Sequence, residues 1–217
     1  MKKEVTLLAK GGMCRIVLDV LSHSNSYHAK QICDDGHLGA DPLHGLIPCE
    51  KTIAQYVNDC SVSDVFFNCI GNYHAMGMRI AYSVALRQKG CKSVNIIHPY
   101  SFISDTVAWG DGNLICPNVV LSTNVKTGSD NVFCTGTAIG HDCRIGNNVY
   151  LSPSVTLCGK VEIDDNVYIG PGTVIAACVH IGSRSIIGAG SVVLKDVKEG
   201  SIVYGNPAKM IRMNDLW

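Results

Sequence analysis

The sequence is short of charge. Asp, Glu, Lys and Arg make up 17% of its 217 residues, where about 25% is usual. Eighteen basic side chains balance eighteen acidic ones. A neutral chain lacks the basic surface that nucleic acid or an acidic membrane demands, so neither is expected as a main partner. An apolar content of 47% with no net charge excludes a disordered chain. No apolar run approaches the roughly 18 residues of a membrane span. Met1-Lys2-Lys3-Glu4 runs straight into a strand-like stretch and not into a signal peptide, so a cytoplasmic location is expected. The eleven cysteines include no C-x-x-C, and the histidines no H-x-x-x-H. The odd count and the absence of a secretory signal favour reduced cysteines used as small apolar residues over disulfides or zinc.

What the sequence does have is a repeat, and it dominates the second half. From Ser101 to Asp196 the chain divides into sixteen six-residue blocks without a slip. The third position runs Ile103, Trp109, Ile115, Leu121 and onward to Val193, apolar in fifteen of sixteen blocks, with Thr127 the exception. The fourth is usually Gly, Ser, Ala or Cys, which accounts for Cys116, Cys134 and Cys158 as small corner residues. Period six is neither helical nor simple strand alternation. Each block makes one short strand and one corner, with the large aliphatic inward. Three blocks make one triangular coil, so residues 18 apart stack, and sixteen blocks give about five coils. The pattern resembles the hexapeptide signature of left-handed β-helices, and the expected hand comes from that resemblance.

The first hundred residues alternate strands with helices, which implies a small parallel sheet. Strands are expected at Glu4–Leu8, Gln31–Cys33, Val65–Ile70 and Ser93–Ile97. Helices are expected after Gly11-Gly12, over Thr52–Asn58 and over His74–Lys89, with a loop over residues 36–51. Ligands of such sheets bind beyond the carboxyl ends of the strands. Gly11-Gly12, Asp34-Asp35 and Gly71-Asn72 fall at three successive strand ends and are expected to converge. His98-Pro99 marks the passage into the repeat. The expected division is 1–97, a Rossmann-like α/β domain; 98–203, the β-helix; and 204–217, a C-terminal tail.

This order of domains, the segment Gly140-His141-Asp142-Cys143-Arg144-Ile145-Gly146 and the ending Gly205-Asn206-Pro207-Ala208-Lys209 resemble the nucleotide-aminosugar N-acetyltransferases and sialic-acid O-acetyltransferases, the bacillosamine, perosamine and NeuD-type enzymes. The resemblance covers nearly the whole chain. It implies acetyl-CoA as acetyl donor with no metal, a homotrimer, and a nucleotide-linked amino sugar as acceptor. It implies His141 as general base with Asp142 beside it. Independently, His141 occupies a corner position where a side chain points outward and where small or turn-forming residues are the rule. An imidazole there suits proton removal near neutral pH. The resemblance places CoA contacts near Tyr150, Gly159, Pro171 and Ala189, with Pro207 and Lys209 towards the adenine end. Gly159 stacks one coil above His141, leaving room for the thioester. The nucleotide sugar would sit on Gly11, Gly12, Met13, Asp34, Asp35 and Gly71. The family's Gly-rich first loop reads Ala9-Lys10-Gly11-Gly12-Met13-Cys14 here, so its first Gly, its His and its last Gly are replaced. A histidine common nine residues after the base is Tyr150.

The implied reaction is direct N-acetylation of the 4-amino group of a nucleotide-linked 4-amino-4,6-dideoxysugar, with a backbone N–H of a neighbouring coil on the oxyanion. A cysteine acyl-enzyme would fall to Cys143 or Cys158; Cys158 is expected to point inward, and Cys143 lacks an activating base. Sialic-acid-type O-acetylation and a non-catalytic binding or assembly module are the alternatives. A γ-type carbonic anhydrase needs three zinc histidines, and only His141 and His180 lie in the blocks, at different phases. His180 reads as a surface or subunit-contact residue. His23, His28, His37, His44 and His74 read as surface residues, with His74 close enough to the third strand end to touch substrate.

Overall fold

A computed structural model describes residues 2–36, 38–39, 47–71 and 73–216, with backbone alone for Tyr73. His37, His44 and Asn72 lie outside the described residues. The chain forms two compact units, Met1–Pro99 and Tyr100–Trp217. Among the described residues no helix is long and apolar enough to cross a membrane, and no cluster of three or more His, Cys, Asp or Glu could hold a metal.

The first unit runs β1 (Lys3–Leu8), α1 (Gly12–His23), β2 (Tyr27–Cys33), α2 (Ile53–Asp59), β3 (Val65–Asn68), a 3₁₀ turn, α3 (Met76–Gln88) and β4 (Lys92–Ser93), with a two-residue strand at Ile96–Ile97. The sheet order is β2-β1-β3-β4, all parallel. β1 is central, and its Leu7 and Leu8 are both fully buried, as a parallel strand covered on two faces requires. Leu8, Cys33, Ile53, Tyr56, Phe66 and Leu86 form one core on the side of α2 and α3. α1 buries Val17, Val20 and Leu21. β2 begins at Tyr27, four residues before the expected Gln31: at the edge of the sheet the polar alternation of Tyr-His-Ala-Lys keeps one face in solvent and gives no apolar run to read. α2 starts on a capping box, Thr52 and Gln55 bonding each other's backbone N–H.

The second unit is a parallel β-solenoid of about six turns. Sixteen two-residue strands run from Phe102–Ile103 to Val192–Val193. From Phe102–Ile103 to Val174–Ile175 each pairs in parallel with the strand 18 residues on, as Lys126 with Arg144 and Tyr150 with Tyr168. Second-position residues therefore line three faces. Face I carries Phe102, Val120, Ala138, Thr156, Val174 and Val192; face II Ala108, Lys126, Arg144, Glu162 and His180; face III Leu114, Val132, Tyr150, Tyr168 and Ile186. Third positions are buried from Ile115 to Val193. First positions are buried as well from Asn113 to Ser191: Val119, Val125, Cys143, Val155, Val161 and Val167 are fully so. Each block from Asn113 onward thus sends two residues inward, one more than the repeat suggested. This interior tolerates Asn131, whose amide donates to Thr127 Oγ1 at 2.7 Å, so the one polar third position has a partner. Sixth positions from Gly112 to Gly190 adopt the left-handed conformation, which explains the choice of Asn118, Asn124, Asp130, Asp142, Asn148 and Asn166. The expected tail is structured: Ser201–Gly205 pairs with Ile186–Ile187, and Ala208–Met213 folds back on it antiparallel.

Candidate active site

His141 stands on the edge between faces I and II. Its strand, Ala138–Ile139, lies on face I, and the next, Arg144–Ile145, lies on face II. The block's fifth position turns the imidazole outward, with its side chain 58% exposed. Its Nδ1 lies 2.8 Å from Asp142 Oδ2. Asn124, one coil below Asp142 in the same column, donates from Nδ2 to Asp142 Oδ1 at 3.3 Å. The hydrogen bonds from His141 and Asn124 hold the Asp142 carboxyl below the ordinary carboxylate range, and the Lys160 charge acts in the same sense. An ionised carboxylate only accepts, so the ring proton belongs on Nδ1 and the lone pair on Nε2. A Cβ placed on Gly159 would come 2.5 Å from His141 Nε2 and 2.7 Å from Cε1. The imidazole edge that carries the free lone pair therefore lies against the bare backbone of Gly159. Asn124 was missed in the sequence, although its place 18 residues before Asp142 was a readable signal.

The edge between faces II and III is built differently. There the fifth-position amides of Asp111, Ser129 and Asn147 donate to Ser129 Oγ at 3.1 Å, Asn147 Oδ1 at 2.8 Å and Asp165 Oδ1 at 2.6 Å, each one coil on. On the His141 edge, the residues one and two coils on are Gly159 and Ala177, which carry no side-chain acceptor. The device that occupies these amides on one edge is missing where His141 stands.

Cys143 occupies a first position and is fully buried. Its Sγ donates to Cys158 O at 3.1 Å, and burial pushes its thiol up. Cys158, expected to point inward, is half-buried instead, whereas Cys116 and Cys134 at the same block position are buried. Tyr150 lies on face III, away from the His141 edge, stacked on Tyr168 with ring centroids 5.4 Å apart. It accepts from Cys134 Sγ at 3.6 Å, and burial raises its phenol well above the ordinary range. Pro171 and Ala189 are exposed on the edge between faces III and I, one coil apart. Pro207 and Lys209 border an apolar pocket of about 520 Å³ at the far end of the solenoid, with Leu194, Val197 and Met210 in its wall. A single solenoid thus brings His141, Asp142 and Gly159 together and leaves Tyr150, Pro171 and Ala189 on other sides of the triangle. His180 faces outward, 3.1 Å from Asp164 Oδ2.

In the first unit the three strand ends do converge. Ala9 N–H donates to Cys33 O at 2.7 Å and Cys69 N–H to Leu8 O at 2.8 Å. Gly11 and Gly12 are exposed with open space beside them. Asp34 and Asp35 sit as placed, but their carboxylates have internal work. Asp34 accepts from the N–H groups of Lys10 and Gly36 at 2.8 and 2.9 Å. Asp35 accepts from Ile53 N–H at 2.8 Å and from the Tyr82 hydroxyl at 2.6 Å; the latter bond pushes the Tyr82 phenol up to about 12. Met13 is buried and covers Gly71, where an added Cβ would meet Met13 Cβ at 2.8 Å. His74 is exposed on the turn that precedes α3. Arg79 and Tyr82 went unread in the sequence, because a charged or phenolic residue in an amphipathic helix reads as solvent-facing.

Two family models match the solenoid: the bacterial transferase hexapeptide (six repeats) over residues 160–195, and the hexapeptide repeat of succinyl-transferase over residues 128–153. No curated protein sequence matches the chain. Among solved structures, PerB from Caulobacter crescentus in complex with CoA and GDP-perosamine is 26% identical, with a TM-score of 0.83 over 96% of this chain and 97% of that one. A form of this perosamine N-acetyltransferase with one histidine replaced by asparagine, also with CoA and GDP-perosamine, is 25% identical with a TM-score of 0.85 over the same shares. The acetyltransferase domain of PglB from Neisseria gonorrhoeae, in complex with acetyl coenzyme A, shares the fold at 22% identity and a TM-score of 0.88, over 97% of this chain and all of that one (100%). WeeI from Acinetobacter baumannii does so at 24% and 0.81, over 97% and 100%. The repeat, the fold and these matches make the chain a relative, over nearly its full length, of the hexapeptide-repeat acetyltransferases that include the Caulobacter perosamine N-acetyltransferase.

Proposed function

We propose that the chain is an acetyl-CoA-dependent N-acetyltransferase acting on the 4-amino group of a nucleotide-linked 4-amino-4,6-dideoxysugar, with His141 as general base. The observation that carries the reading is the His141 geometry: Nδ1 tied to an ionised carboxylate, Nε2 free and lying over a residue without a side chain. His141 Nε2 takes the proton from the amine as its nitrogen attacks the thioester carbonyl. Asp142 holds the ring and stabilises the imidazolium. The amide of Gly159, with no side-chain acceptor at Ala177 one coil on, serves as the donor for the oxyanion. Collapse breaks the C–S bond, and the leaving thiolate takes the proton from the His141 imidazolium to depart as CoA thiol. The related Caulobacter structure with CoA and GDP-perosamine supports the choice of substrates.

The same reading includes the homotrimer that the resemblance implies. His141 stands on one edge of the triangle and the expected CoA contacts Tyr150, Pro171 and Ala189 on face III and another edge, so one CoA reaches both sets only between two copies of the solenoid. Face I is apolar and exposed at Phe102, Val120 and Val174, which suits burial against a neighbour.

The test is CoA thiol release with a panel of UDP-, dTDP- and GDP-linked 4-aminosugars, beside sialic acid. Turnover of one aminosugar is expected. Turnover of sialic acid alone would replace the amine with a hydroxyl acceptor, and no turnover and no acetyl-CoA binding would leave a binding or assembly module.

A further inference from the structure

Helix α3 turns Met76, Arg79, Ser83 and Leu86 inward. An arginine and a serine hold places where aliphatic residues would pack more cheaply, and Arg79 is only 2% exposed. Burying a cation is costly unless its donors are well met. Arg79 Nη1 donates to Asn68 O at 3.1 Å and to Ile70 O at 2.8 Å. Asn68, 1% exposed, answers with its amide: Nδ2 donates to Arg79 O at 2.9 Å and to Ser83 Oγ at 3.0 Å. Asn68 Oδ1 accepts from Ile70 N–H at 3.1 Å. The network thus grips alternate carbonyls of the segment that leaves β3, while the Cys69 N–H between them is held by Leu8 O of the central strand. The next residue, Gly71, is the one that Met13 of the first loop covers. Alternate groups of this segment are therefore pinned, and with them the meeting of two of the three strand-end loops. Leu86 joins the apolar core with Leu8 and Phe66 on this side of the sheet.

We propose that Arg79 is a positioning residue: by holding the carbonyls of Asn68 and Ile70 it fixes segment 69–71 as the seat of the nucleotide-linked substrate. This rests on the reading of the strand-end cleft as the nucleotide-sugar site. Arg79 itself is too deeply buried to touch substrate. Both bonds leave one nitrogen, Nη1, whose place is set by the planar guanidinium; the flexible stem of a lysine carries a compact ammonium that is not held in that place.

The test uses the full-length chain, wild type beside Arg79→Lys and Arg79→Met. Binding of UDP, dTDP, GDP and CoA is measured by calorimetry, and hydrogen exchange is followed by mass spectrometry. Wild type is expected to bind one of the three nucleotides. Both variants are expected to lose at least tenfold in that affinity, to keep CoA affinity within twofold, and to gain exchange over residues 66–71 only. Variants that bind the nucleotide like wild type overturn the role of Arg79 while leaving the cleft standing. Exchange raised throughout the first unit in the lysine variant as well overturns it in favour of a plain folding role. A wild type that binds none of the three nucleotides overturns the cleft reading, and the proposal with it.

Discussion

Gly159→Ala tests the active-site geometry with a single methyl group. The backbone there is not left-handed, so alanine meets no strain. Its Cβ would stand 2.5 Å from His141 Nε2, 2.7 Å from Cε1 and 3.0 Å from Cδ2. Non-bonded atoms settle at about 3.5–4.0 Å, so one partner must move by about 1 Å. The methyl sits on a rigid coil, whereas the imidazole is more than half exposed, so the ring moves. It moves off the 2.8 Å bond to Asp142 and out of line for the acceptor. A displacement of that size costs about 10²-fold in rate, or about 2.7 kcal/mol of transition-state stabilisation. The ring turns into solvent, so the fold gives up almost nothing. The assay is CoA thiol release with the sugar found active, beside a thermal melt. A rate down about 10²-fold with a melting temperature within about 2 °C of wild type is expected. A rate within threefold of wild type would refute the placement of Nε2 as the working atom.

Three further predictions follow from the same structure. Asp142→Asn keeps the shape of the pair and removes its charge, so kcat should fall by about 10–10²-fold with the melt unchanged, and Asn124→Ala should do the same more weakly; kcat against KM for both substrates checks this. Cys143→Ala should retain kcat within about threefold, and no acetyl adduct should appear on the intact chain by mass spectrometry, because the Cys143 thiol is buried and spent on Cys158 O. Burial and the neighbouring His23 ring, 5.3 Å away, depress the pKa of His98 below the usual imidazole value. Protons then bind the unfolded state better, so stability is full above a pH of about 6.5 and is lost as the pH falls from there through the folded-state value; denaturant unfolding of wild type against His98→Asn from pH 7.5 to 5 should show a flatter dependence in the variant.

The solenoid was legible because its constraint is periodic. Every coil must place an apolar residue at the same turn of the triangle, so Ile139, Leu157 and Ile175 repeat at 18 and expose the register, and with it the corner address of His141. Asp142 was legible for the same reason. First positions escaped, because Val, Asn, Thr, Ser and Cys share a modest size and no common polarity; Cys143 was judged by chemistry when its block position already made it interior. In the first unit the strand ends were placed by pattern, but what the side chains do there is tertiary. Asp34 and Asp35 look like ligands in sequence, yet they spend their oxygens on Lys10, Gly36, Ile53 and Tyr82. Met13 looks like a loop residue and is a cover for Gly71. No local pattern announces a buried arginine, since helix periodicity cannot tell an inward guanidinium from an outward one.

The most direct measurement is acetyl transfer by His141→Asn against wild type, with the affinity for acetyl-CoA determined on both. Asparagine fits the corner but offers no basic nitrogen. Turnover reduced at least about 10²-fold with acetyl-CoA affinity preserved is the result expected of a general base. Turnover equal to wild type would contradict the assignment of His141 and the chemistry built upon it.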